Sequence, residues 1–408
     1  MGNTIQLPRL AADGGEMSAL LTIPPATLDD DLRWLYDVLG TASDAGVSEY
    51  LVRPSADEPR LLVPIDTPRI AAGAMRRAVG GDLRRDRAMA LAARAAGRVG
   101  LAGAMPGDRM RLPRFDLVER LAVRLGEPEL TAAVTIGPRR RNRKPVLQLI
   151  RPDGAVIGFA KVGWSPLTRD LVIDEATVLT AIDGKLPAWL HPPVVIATEY
   201  TAELAVVVTS ALAPPAVARG PRRSPAEVVT ALADTDAAPA SAVADLPFLS
   251  PRPVAEGVEP LLESADIDRL LGRHGAERVT IGLWHGDFTP WNQAARGDTI
   301  ALWDWEFAGW GRPVGFDLLH HRFERHRRSP GGSNTLALRV LETEATRVLD
   351  ALRLDLSRNQ VEAIFDCYLV ELIAREQRLA DQRWSGGSLA ALGPVATDLL
   401  RRRLQRRP

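Results

Sequence analysis

A single cysteine, Cys367, excludes any disulfide within the chain. With no second thiol it reads as a small buried hydrophobe, and a reducing, cytoplasmic setting is expected. Net charge is missing too. The 51 basic and 51 acidic residues cancel over 408 positions, so no overall field draws the chain to nucleic acid or to an anionic membrane, and neither is expected as a partner. No stretch is apolar enough to span a bilayer. The first ten residues lack the basic start and apolar run of a signal peptide. Lysine is nearly absent: Lys144, Lys161 and Lys185 are the three, and every other basic residue is arginine. In such a chain a lysine marks a place where a compact ammonium is not replaceable by a planar fork, as at a tight phosphate site.

What is present builds a globular protein. Hydrophobic residues make up 46% and charged residues 25%, and the length suggests two or three domains. Residues 1–28 read as a loose leader and 29–40 as a short helix. EYLVR (49–53) and RLLVPI (60–65) read as strands, and the Ala- and Arg-rich run 67–105 as helical. Residues 1–110 thus form an N-terminal α/β domain without a chemical motif, a candidate for self-association or docking. Residues 111–212 open on an amphipathic helix, RFDLVERLAVRLG. Strands at 130–137, 145–152 and 155–163 follow, with the turn RPDG joining the last two. A helix over 168–182 and strands at 193–200 and 204–212 complete this part. Residues 213–257 are rich in Pro and Ala and read as a linker with a helix at 224–233. The rest, to 408, reads as helical around two short strands near 278–284 and 299–304.

The chemistry concentrates in LWHGDFTPWNQAARGDTIALWDWEFAGWGRPVGFDLLHH. An apolar strand delivers His285, Gly286 and Asp287 into a loop. Asn292 follows five residues after Asp287, and a second apolar strand delivers Asp304. Phosphoryl transfer needs metal ions on the phosphates and a carboxylate that orients the attacking hydroxyl and takes its proton. Mg²⁺ accepts one carboxylate, one amide oxygen and phosphate oxygens. Asp287 suits the base, and Asn292 with Asp304 suits the metal. His285 suits a loop organiser beside that base.

HGDFTPWN resembles the HGDxxxxN catalytic loop of the aminoglycoside phosphotransferase and choline kinase family. IALWDWEFAGWGRPVGFDL resembles that family's metal-binding segment, with Asp317 matching a structural aspartate. The resemblance covers roughly 112–408 and implies an α+β, bilobal kinase-like fold: a small β-rich N-lobe over 111–212 and a mainly helical C-lobe over 213–408. The order of three strands, a helix and two strands fits such an N-lobe. The resemblance further implies Mg²⁺ and ATP or GTP as phosphoryl donor, with a small hydroxyl-bearing acceptor. Lys161 falls where the phosphate-contacting lysine belongs, and Glu175, fourteen residues on, where its ion-pair partner belongs, with Asp174 a competitor. Thr209, Ser210, Ala211 and Leu212 fall in the segment that holds the purine through backbone groups.

Other features stay open between structure and function. Arg139, Arg140, Arg141, Arg143 and Lys144, between the first two strands of this lobe, are either phosphate contacts or a solvated hairpin tip. Of the clustered tryptophans, Trp284 and Trp303 read as core, and Trp291 and Trp310 as acceptor lining. HHRFERH (320–326) reads as a helix edge rather than a zinc site. Asp366, Glu371, Glu376 and Asp381 either meet a cationic amino-sugar or form a charged helical surface. The acceptor is expected to be a sugar or amino-sugar-like metabolite. A choline-like amino alcohol and a non-catalytic kinase-fold binding protein are the alternatives.

Overall fold

The computed structural model describes residues 30–42, 46–75, 107–137, 142–212, 223–236, 240–250, 258–296, 298–380 and 392–406. The expected leader, most of the helical run 67–105, the arginines 139–141 and Asp381 lie outside them.

The first half is one antiparallel sheet. Helix α1 (Asp30–Leu39) precedes strands β1 (Val47–Pro54) and β2 (Pro59–Pro64), helix α2 (Pro68–Ala74) and strand β3 (Asp108–Pro113). Helix α3 (Asp116–Leu125) follows, then β4 (Thr131–Thr135), β5 (Val146–Ile150), β6 (Val156–Gly163) and helix α4 (Pro166–Ile182). Strand β7 (Leu190–His191) leads to β8 (Val195–Tyr200) and β9 (Ala205–Ser210). Eight of these nine strands, all but β7, order as β3-β1-β2-β4-β5-β6-β9-β8. The RPDG turn needs its glycine: Gly154 has φ +82°, and a Cβ there would lie 2.2 Å from the Arg69 carbonyl oxygen of α2.

The boundary expected at residue 110 therefore falls inside a continuous sheet. β2 pairs with β4 through Leu61↔Thr135 and Leu62↔Val134. One buried cluster joins Leu32, Leu35, Tyr50 and Leu62 from the first segment to Val134, Leu147, Ala160 and Val206. The three strands β3-β1-β2, with a free β2 edge and one apolar face, complete themselves by pairing and packing on the next strand available. Sequence periodicity carries no signal for such pairing.

The second half is helical around short strands. Helix α5 (Pro225–Ala233), β10 (Ser241–Ala242), helix α6 (Ser264–His274) and β11 (Arg278–Val279) lead into β12 (Ile281–Trp284). Strands β13 (Gln293–Arg296), β14 (Thr299–Leu302) and β15 (Gly309–Pro313) follow. Helices α7 (Phe316–Arg327), α8 (Asn334–Asp350), α9 (Arg358–Ala380) and α10 (Leu392–Gln405) complete the described chain. The expected linker contributes several residues to the core. Val228, Leu232, Phe248 and Leu249 are buried among Trp284, Phe316 and Tyr368, and a Cβ on Gly282 would lie 2.9 Å from the Ala233 Cα. Pro and Ala richness marked irregular backbone here, not exposure. Cys367 is fully buried in the same cluster. No described helix is long and apolar enough to cross a membrane.

Candidate active site

Lys161 is the meeting point of the two halves. It stands on β6, where it pairs in register with Val146 of β5 and Val207 of β9. Its Nζ lies 2.8 Å from Glu175 on α4 and 2.6 Å from Oδ1 of Asp304, just past β14. Burial disfavours the ammonium, but Asp304 and Glu175 outweigh it and hold the lysine well above its ordinary range. Burial likewise opposes ionisation of Asp304, and Lys161 reverses this, drawing that carboxyl down to about 2. Glu175 is almost wholly buried and also accepts from the Trp305 backbone N–H at 3.3 Å. Asp174, the competitor, turns instead to Arg378 of α9 at 3.4 Å.

Asp304 has φ +72°, one of few non-glycine residues in the left-handed region. Such a conformation persists only where its surroundings over-determine it, and it clusters at functional sites. Here the anchors are Lys161 on one side and the fully buried Trp305 on the other.

The loop after β12 is braced from several directions. Asp317, at the start of α7, accepts the backbone N–H groups of His285 at 2.7 Å and Gly286 at 3.0 Å. Burial pushes its carboxyl up to about 6, against the pull of those two donors. Gly286 has φ +81°, and a Cβ there would lie 2.2 Å from the Phe307 carbonyl oxygen. Arg375 of α9 donates to the Gly286 carbonyl at 2.6 Å. His285 is fully buried. Its Nδ1 accepts the Asp287 N–H at 3.2 Å and its Nε2 meets the Trp303 carbonyl at 3.1 Å, so those partners select the neutral, Nε2-protonated tautomer. Burial lowers its pKa to about 4.

Asp287 itself is held at both oxygens. Asn292 Nδ2 donates to Oδ2 at 2.7 Å and to the Asp287 carbonyl at 3.0 Å. His320 Nε2 lies 3.1 Å from Oδ1, and its Nδ1 lies 3.1 Å from the Tyr368 hydroxyl. Burial works to raise the Asp287 carboxyl, but the His320 hydrogen bond prevails and keeps it below its ordinary value. His320 and Tyr368 were not singled out as site residues by sequence. The pair HH after FDLL was visible, but nothing in it says which histidine turns toward the loop.

A hard cation needs oxygen donors. Asn292 directs its amide nitrogen at Asp287, which leaves its oxygen as an acceptor, and Asp304 gives Oδ1 to Lys161 and keeps Oδ2. One amide oxygen and one carboxylate oxygen fit a Mg²⁺ that takes its remaining ligands from phosphate and water. Among the described residues no group of three or more His, Cys, Asp or Glu gathers to hold a metal. In HHRFERH, His320 faces Asp287, His321 packs on Phe288 at 5.3 Å between ring centres, and His326 meets Glu344 at 3.1 Å.

Of the purine segment, Thr209 and Ser210 end β9, opposite Phe159 and Gly158 of β6. Ser210 and Ala211 give their N–H groups to Val194 at 2.7 Å and Ile157 at 3.3 Å. Leu212 lies just beyond, at the end of this described stretch. Arg143 is neither a solvated tip nor a phosphate contact: it is buried, 2.8 Å from Asp31 of α1 and stacked 4.3 Å from the Trp34 ring. Lys144 pairs with Glu306, which also accepts from Asn142 at 3.3 Å. Trp284 is core as expected, but Trp303 is half-buried, and Trp305 fills the core place instead. The strand ends at Leu302, and the left-handed backbone of Asp304 between the two tryptophans breaks the alternation that would have put both on one face.

No family model matches the chain, and no curated protein matches it. Solved structures of small-molecule kinases overlap it. A thermostable mutant of aminoglycoside phosphotransferase APH(4)-Ia, in ternary complex with ADP and hygromycin B, is 13% identical over 70% of this chain and 98% of that one, with a TM-score of 0.41. Amicoumacin kinase hAmiN, in complex with AMP-PNP, Ca²⁺ and Ami, is 12% identical over 70% and 92%, with a TM-score of 0.41. The GDP and kanamycin complex of an APH(2")-type enzyme is 16% identical over 67% and 92%, with a TM-score of 0.36. The overlap is loose at these values, and the site's chemistry rests on its own geometry.

Proposed function

We propose that the chain is an ATP- or GTP-dependent O-phosphotransferase acting on a hydroxyl of a small, sugar-like molecule. The observation that carries this reading is Lys161, bonded at once to Glu175 of α4 and to Asp304 of the other half. A lysine fixed in this way presents its ammonium beside a carboxylate suited to a divalent cation, the pairing that polyphosphate recognition requires. Lys161 would hold the phosphates, with Glu175 fixing its position. Asn292 and Asp304 would hold Mg²⁺, which when bound neutralises charge on the phosphate oxygens. Asp287 would align the acceptor hydroxyl and take its proton as the oxygen attacks. The carboxylate stays ionised for that task through the hydrogen bond from His320. His285 would shape the loop and take no proton near neutral pH.

The acidic residues of the last helices favour a neutral acceptor over a polycationic amino-sugar. Asp366 is bonded to His274 at 2.9 Å and to Arg403, and Glu371 to Arg312 at 2.8 Å. A choline-like ammonium draws no support from Trp291, because the Arg328 guanidinium already covers that ring at 3.7 Å.

The test is ADP or GDP release across a panel of hydroxylated metabolites, neutral and cationic, with Mg²⁺. Asp287→Asn is expected to lower turnover about 10²- to 10⁴-fold, the usual contribution of a general base, with nucleotide binding retained. Equal turnover in the two proteins would sink the assignment of Asp287.

A further inference from the structure

Two of the chain's three lysines converge on one short segment. Lys161 bonds Asp304, and Lys144 bonds Glu306 two residues later. Lys144 immediately precedes Pro145 and β5, and Val146 is the register partner of Lys161. Lys144 lies just outside β5, two residues before that register partner, and its ammonium reaches Glu306 while Lys161 reaches Asp304. Both members of the Lys144–Glu306 pair are largely withdrawn from solvent, at 6% and 9% side-chain exposure. Lys144 is close enough to Asp304 to lower that carboxyl's pKa, and Glu306 close enough to Lys161 to raise that lysine's. The four groups form one electrostatic cluster.

A pair whose only task is structural has no need of lysine in a chain that otherwise uses arginine. The neighbouring Arg143 shows the contrast. Its fork is buried against Asp31 and Trp34 of α1, a structural task met by arginine, and its carbonyl accepts the Trp164 indole N–H at 2.8 Å. The base of the β4–β5 connection is thus pinned to α1 one residue before Lys144.

We propose that Lys144 is a second phosphate-contacting lysine, held by Glu306 in the free protein and transferred to the triphosphate when a nucleotide binds, with α1 bracing the connection that carries it. This rests on the nucleotide reading of the site. It makes the N-terminal segment part of the phosphate machinery. It also makes Glu306 an internal competitor of the triphosphate.

The competition predicts a sign that a structural ion pair does not. If the pair only braces the fold, Lys144→Met and Glu306→Gln both weaken nucleotide binding or leave it alone. If Glu306 competes with phosphate, the two variants move affinity in opposite directions. Titration calorimetry of the full chain with MgATP, MgGTP and, as control, AMP reads this directly. Lys144→Met is expected to weaken the bound triphosphate about tenfold, the scale of one charge-assisted hydrogen bond, with AMP unchanged. Glu306→Gln is expected to tighten the triphosphate several-fold. The double variant Lys144→Met/Glu306→Gln leaves no unpaired buried charge, so it guards against a misfolded single variant, and it is expected to bind as weakly as Lys144→Met. Wild-type binding with shifts of the same sign in both single variants would overturn the proposal and leave the nucleotide site standing. Failure of the wild type to bind either triphosphate would overturn both.

Discussion

Two buried residues on the Asp287 loop respond to acid in opposite senses. His285 has its pKa lowered to about 4 by burial, against an ordinary value near 6.5. As pH falls from about 6.5 toward 4, the unfolded chain takes up a proton that the folded protein refuses, and stability drops. Asp317 has its pKa raised to about 6 by burial, so over nearly the same window the folded protein takes a proton first, and stability rises. Each masks the other in the wild type. Urea unfolding at about pH 7 and about pH 4.5 should separate them. Acidification is expected to cost His285→Gln less stability than it costs wild type, and to cost Asp317→Asn more. The reverse order would show that the burial of these side chains is not what sets their protonation. Asp317→Asn is also expected to lose about 1–3 kcal/mol at neutral pH, because an amide turns one donor toward the backbone N–H groups that the carboxylate now receives.

At the scale of elements, α1 acts on the β4–β5 connection through one buried contact. Arg143 and Asp31 have 2% and 7% of their side chains exposed. Removing one partner of such a pair strands a charge, at about 3–5 kcal/mol, whereas replacing both with apolar residues of similar volume is often close to neutral. Asp31→Ala is therefore expected to destabilise the protein by that amount in urea unfolding. Asp31→Leu/Arg143→Met should recover most of the loss. A double variant as unstable as the single would show that the helix, not the pair, is what matters. The contact also shows where sequence reading stops. The strands and helices that carry the motifs were legible: β5 and β6 around RPDG, α4 over 168–182, β12 before His285. The spacing from Asp287 to Asn292 and on to Asp304 was legible because each lies on or just past its own short element. Arg143 was not legible, because a run of basic residues gives no sign that one of them turns inward to an acid 112 positions earlier. Nor was Glu306, whose partners come from the other half of the chain.

For the molecule as a whole, the eight-stranded sheet changes what the N-terminal segment is. A separate docking domain would leave residues 111–408 folded when removed. In this architecture removal takes away α1, β1, β2 and the first half of β3, bares the β4 edge at Val134 and Thr135, and uncovers one face of a core that includes Leu147, Ala160 and Val206. Exposed apolar strand edges template aggregation, and the lost apolar burial is large against the 5–15 kcal/mol that holds a domain together. Expression of 111–408 is expected to give aggregated protein, or protein with a broadened, lowered thermal transition and no stabilisation by Mg-nucleotide, while the full chain unfolds cooperatively and is stabilised. A truncated chain that melts as sharply as the parent and keeps its nucleotide response would overturn the view of α1 and the first three strands as part of the lobe. It would return them to the role of an appended module. The nucleotide response is the decisive reading, because α1 braces the β4–β5 connection that carries Lys144.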